Sequence, residues 1–222
     1  MSDVEKMGSL GLALAVTLGA SSSAMAEEKL FKDFAFDSPR SAYTEAKGYY
    51  DCSEDLLAPA MCKDDVDFIG HKFTLALVFA GGKLNTVSLI SDFDQEIYND
   101  AMTALNKTFM LSSMSDANTQ LDLIELASSA RNRDDYLTRY TRYEEVGVAA
   151  GDFTYTFLEG ADTSKKYSSV PTLLNGSADN IRCAELMLTG EGADSALYIR
   201  FSFPNLEMKK AEAAAQKPVE SS

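Results

Sequence analysis

The chain has 222 residues, 45% of them hydrophobic, with 34 acidic against 20 basic side chains and a formal net charge of −14. That hydrophobic share rules out a chain too polar to bury a core, and the charge disfavours nucleic acid and anionic membrane surfaces as partners, because both repel it. The single histidine, His71, leaves almost nothing from which to build a Ser-His-Asp, Cys-His or His-Glu-x-x-His site.

Residues 10–20 form an apolar run, and Ala24-Met25-Ala26 precedes the charged Glu27-Glu28-Lys29. A short hydrophobic segment ending in a small-x-small pattern reads as a signal peptide over residues 1–26, cut after Ala26. The run falls short of the about 20 apolar residues that a membrane span requires. The n-region is unusual in setting Asp3 and Glu5 against Lys6, and a buried N-terminal helix is the alternative. The mature chain is therefore expected to be soluble and periplasmic or secreted.

Asp37-Ser38-Pro39 is a helix-start signal, and the helix it predicts runs to Lys47 and ends at Gly48. Cys52 and Cys62 follow, enclosing a short loop that contains Pro59. In an oxidising compartment such a pair is expected to be bonded, and closing the loop stabilises by about 3 kcal/mol. Metal binding is the alternative, with no third ligand nearby in the sequence. Cys183 is left over and is expected to be a small buried side chain in a strand. Strands are predicted over residues 66–69, 72–79 and 84–90, turned by Gly70-His71 and by Gly81-Gly82. His71 is accordingly expected to be exposed in a turn. A helix over residues 94–109 then places Ile97, Ala101, Leu105 and Phe109 on one face. The acids of Asp92-Phe93-Asp94-Gln95-Glu96 alternate as a calcium loop begins, but the glycine and the closing glutamate are missing. Acids at a helix N-terminus explain them more simply.

The second half repeats this order. Residues 118–149 read as helical with a break at Arg131-Asn132-Arg133, and strands are predicted over 152–158, 181–188 and 195–203. Thr189-Gly190-Glu191-Gly192 turns the last pair, the polar stretch 159–180 reads as a long loop, and the chain from Glu207 reads as a frayed helix or disordered tail. The predicted organisation is a signal peptide (1–26), two helix–meander repeats (27–112 and 113–206) and a tail (207–222). The fold class is α+β, an antiparallel sheet built from two three-strand meanders with helices on one face. This order, with the Cys52–Cys62 loop after the first helix, resembles the tandem-repeat fold of the β-lactamase-inhibitor-like proteins. The resemblance covers most of the mature chain as topology, and it implies an exported protein with a binding role.

Two surfaces are candidates for that role. Arg131, Arg133, Arg139 and Arg142 interleave with Tyr136, Tyr140 and Tyr143, which share one helix face; the stripe reads either as core-facing or as a partner site, with Asp135 and Arg139 pairing across one turn. On the sheet, Phe73, Leu75, Leu77 and Phe79, then Phe153, Tyr155 and Phe157, then Leu197, Ile199, Phe201 and Phe203 should meet the helices. The alternating positions Thr74, Ala76, Val78, Thr154, Thr156, Tyr198, Arg200 and Ser202 belong to the opposite face. Thr154, Thr156, Tyr198, Arg200 and Ser202 are the candidate binding residues, led by the Tyr198 and Arg200 anchors. No catalytic residue, metal ligand or cofactor is assigned. The expected function is a non-catalytic binding or inhibitor-like module with a protein partner. A carboxylate-dependent enzyme acting on glycans and a small-ligand carrier are the alternatives.

Overall fold

The computed structural model describes residues 28–190 and 192–216, without the side chain of Ala193. The expected signal peptide, its cleavage point and the chain from residue 217 onward lie outside the described residues. The main sheet is built from β3 (Tyr50–Asp51), β4 (Ala60–Phe68), β5 (His71–Ala80), β6 (Lys83–Asp92), β7 (Met110–Asp116), β8 (Gln120–Asp122), β9 (Phe153–Glu159), β10 (Arg182–Thr189) and β11 (Ala196–Ser202). They lie side by side in the order β3-β4-β5-β6-β11-β10-β9-β7-β8, and every pair is antiparallel. The two meanders thus meet edge to edge through β6 and β11, where Leu89 faces Ile199 and Val87 faces Phe201. A small hairpin, β1 (Lys29–Phe31) with β2 (Phe34–Ala35), forms a separate two-stranded sheet.

Period-two alternation drives this architecture. Phe73, Leu75, Leu77, Phe79, Phe153, Tyr155, Phe157, Leu197, Ile199, Phe201 and Phe203 are all buried in one cluster, as expected. Against it pack Ala101 and Leu105 of α1 (Gln95–Thr108), Leu123 and Leu126 of α2 (Leu123–Ser129) and the tyrosines of α3 (Arg133–Ala149). Asp94 caps α1 by accepting from the backbone N–H groups of Glu96 and Ile97. The break before α3 falls where it was predicted, with Asn132 as its cap. The hairpin between β5 and β6 turns on Gly81 and Gly82, whose φ values of 58° and 75° suit glycine.

Several expectations need correction. The helix predicted over residues 37–47 is replaced by two 3-10 turns, Arg40–Ala42 and Glu45–Lys47. Asp37 has a positive φ of 66° and Pro39 is extended, so neither starts a helix. Backbone bonds from Arg40 N–H to the Gly82 carbonyl and from Leu84 N–H to the Ser38 carbonyl hold this segment along the β5–β6 turn. Gly48 does end it in the left-handed conformation, with φ 83°. His71 is the first residue of β5 rather than a turn residue; Ile69 and Gly70 make the turn, and His71 Nε2 lies 2.9 Å from Asp100 Oδ2 on α1. Strand β4 starts at Ala60, six residues before the predicted strand at 66, because a bulge at Lys63–Val66 interrupts its alternation. β7 and β8 lie in stretches where no strand was predicted. The polar stretch 159–180 contains a helix, α4 (Val170–Asn175), set by a capping box between Ser169 and Thr172. Of the two forms expected for the segment from Glu207, helix or disordered tail, the helix is present through Ala215, but it starts earlier, at Pro204, as α5 (Pro204–Ala215), and Asn205 anchors it by donating to the carbonyls of Leu174 and Ala178.

The disulfide joins Cys52 to Cys62, and Cys183 is free and buried, as expected. No helix among the described residues is long and apolar enough to cross a membrane.

Candidate functional site

The alternation that fills the core delivers the five candidate residues to the opposite face. Cross-strand pairing sets Thr154 beside Met187, Met187 beside Tyr198, Tyr198 beside Ile90 and Ile90 beside Thr74. A second row runs Thr156, Glu185, Arg200, Ser88, Ala76. With strands about 4.8 Å apart, each row spans about 20 Å.

Both flanks of this face are covered. The disulfide loop packs Cys52, Ala60, Cys62 and Leu56 against Ala76, Val78 and Ile90. On the other flank α4 lays Val170 and Leu173 on Leu158 and Cys183. This corrects the expectation for Ser202: it faces Cys183, is only 8% exposed, and presents nothing to a partner. Thr154, Thr156 and Tyr198 are half-buried and Arg200 is exposed. Tyr198 and Met187 belong to none of the hydrophobic clusters. The Arg200 fork is already engaged, since its Nε donates to Glu185 Oε2 at 2.5 Å and a terminal nitrogen reaches the same oxygen. Tyr198 also borders an acid-lined hollow of about 760 Å³, with Asp64, Asp65, Asp92 and Asp94 on its walls. Among the described residues no group of three His, Cys, Asp or Glu side chains is placed to hold a metal ion.

In the arginine–tyrosine patch the tyrosines do structural work. Tyr136, Tyr140 and Tyr143 are half-buried against the core. The Tyr143 hydroxyl donates to the Thr119 carbonyl at 2.7 Å and so pins the β7–β8 turn. The expected Asp135–Arg139 pair does not form as such: Asp135 binds Arg131, and Arg139 donates to the Ser129 hydroxyl.

A third feature escaped the sequence. Where the start of α1 approaches the end of α3, a cleft of about 510 Å³ opens over Tyr155 and Leu188. Tyr155 is 1% exposed, yet its hydroxyl is satisfied: it donates to Glu144 Oε1 at 2.8 Å and accepts from the Tyr98 hydroxyl at 2.9 Å. Burial, then the Tyr98 hydrogen bond and the Glu144 charge, push the Tyr155 phenol well above its ordinary range, and burial with Glu144 does the same to Tyr140. The signal available in the sequence was Tyr155 itself, because a tyrosine assigned to the core needs a partner for its hydroxyl.

No protein-family model, curated protein or solved structure matches this chain.

Proposed function

We propose that this protein is an exported, non-catalytic binding module, inhibitor-like in architecture, that docks a protein partner on the uncovered middle of its sheet. The observation that supports this reading is the row Thr154, Met187, Tyr198, which lies between two covered flanks and outside the hydrophobic clusters. A surface of hydroxyls, a thioether and a tyrosine combines apolar contact area with adaptable hydrogen bonding, as interfaces do. The Cys52–Cys62 bond fits the oxidising compartment where such a partner would be met. The resemblance to the β-lactamase-inhibitor-like fold carries the same proposal.

Replacing Tyr198 by a photo-crosslinking phenylalanine analogue in the native host tests it, with exposed Leu57 as the control position. One discrete adduct is expected from position 198, none from 57, and Thr154→Arg should abolish it. Equal labelling from both positions would count against the site. Tyr198→Ala alone should lower stability by much less than the about 3 kcal/mol expected for truncating a core aromatic residue; a larger loss in a thermal melt would return Tyr198 to the core.

A further inference from the structure

The cleft between α1 and α3 has the attributes of a ligand site, and they share one sign of charge. Its volume of about 510 Å³ falls in the range of small-molecule pockets. A neighbouring hollow of about 460 Å³ shares Phe93, Val148, Ala149 and Leu188 with it and extends it toward the β10–β11 turn. The rim keeps apolar side chains in water: Phe93 and Val148 are each 40% exposed.

The polar end of the cleft is anionic. Glu144 accepts from Tyr155 through Oε1, and a carboxylate retains further acceptor capacity beyond that one bond. None of the ion pairs among the described residues includes Glu144 or Glu145, both of which line the cleft. The C-terminal end of α3 adds its partial negative charge, and no basic residue in its last turn offsets it. The opposing positive end, at the start of α1, is already neutralised by the Asp94 cap. Phe93 and Tyr98 also line the cleft, and aromatic rings attract cations.

We propose that this cleft binds a small organic ammonium ion with an apolar body, its charged head at Glu144 and its body between Phe93, Val148 and Leu188. The cleft shares Phe93 with the hollow that Tyr198 borders but includes none of the candidate sheet-face residues, so its failure would leave the protein-docking reading standing. The test uses the full protein, calorimetric titration and three probes of matched shape: 2-phenylethylammonium, 2-phenylethanol and 3-phenylpropanoate. The ammonium should bind saturably and at least about tenfold more tightly than either comparator, a difference of about 1.4 kcal/mol. Glu144→Gln should remove that preference, and Phe93→Ala should weaken binding with the melting temperature little changed. Val148→Lys, at the exposed rim, should abolish ammonium binding and covers the case in which Glu144→Gln fails to fold. Equal affinity for ammonium and carboxylate, undiminished binding by Val148→Lys, or no saturation up to about 10 mM would overturn the proposal.

Discussion

Burial works against the charged form of Glu207. The residue lies in the first turn of α5, and its Oε1 is buried without a hydrogen-bond partner. Burial, with the nearby Glu185 charge, raises its pKa above the ordinary 4.5, and Arg200 and Lys210 only partly oppose the shift. An acid whose folded pKa is raised prefers its proton in the folded state. Its contribution to stability is therefore full below 4.5 and is lost as the pH rises through the higher folded value. Glu207→Gln should stabilise the protein near neutral pH by up to about 1 kcal/mol, and the gain should vanish under acid conditions. Thermal melts of both proteins at neutral pH and at about pH 3.5 check it; a gain that persists in acid would assign the effect to packing. Cys183 is the complementary case. Burial pushes its thiol up to about 12, so the thiolate needed for reaction is scarce. Alkylation by iodoacetamide should proceed only as fast as the protein unfolds, and rapid labelling of the native state would refute this.

At the level of elements, α3 and β9 fit closely at Gly147. A Cβ placed on Gly147 would stand 2.3 Å from Cε2 of Phe153, whose ring is 1% exposed and cannot swing into solvent. Gly147→Ala should therefore destabilise by about 1–3 kcal/mol as overpacking, despite alanine's higher helix propensity. Phe153→Leu in the same chain should recover part of that loss, and additive effects in the double-mutant cycle would deny the contact. Sequence pattern could show five of the six meander strands and α1, because alternation, glycine turns and a capped apolar face agreed there, but only the end of β4, whose alternation a bulge interrupts. It failed where signals conflicted. Met110-Leu111-Ser112-Ser113 in β7 has no alternation, because a bulge between Leu111 and Ser113 buries both serines. Asp37-Ser38-Pro39 has the composition of a helix start, but Asp37 takes a left-handed φ, Pro39 is extended, and backbone bonds to Gly82 and Leu84 hold the segment along the β5–β6 turn. The candidate face was legible as a set of residues sharing one side of the sheet. Its coverage by α4 was not, because that helix lies in the polar stretch 159–180 and is too short to carry a periodic signal.

For the whole molecule, the decisive feature is that the two meanders do not keep separate cores. One buried cluster takes residues from both, including Leu75, Leu77 and Leu89 from the first and Phe153, Leu186 and Ile199 from the second. Both outer strands of the main sheet are very short, Tyr50–Asp51 at one end and Gln120–Asp122 at the other. Short edges discourage pairing with another chain, which favours contact through a face instead. The N-terminal hairpin closes the seam. Phe31 stacks on Phe201 of β11 with ring centroids 4.9 Å apart, and it meets Phe68 of β4 edge-on at 5.2 Å. Arg182 of β10 also donates to the Leu30 carbonyl. Truncating one ring therefore removes contacts from both meanders at once. Phe31→Ala should cost about 3–5 kcal/mol and lower a single unfolding transition, with far-ultraviolet dichroism and tyrosine fluorescence still coinciding. If the meanders were instead independent, the variant would split the melt into two steps, and the two probes would report different midpoints.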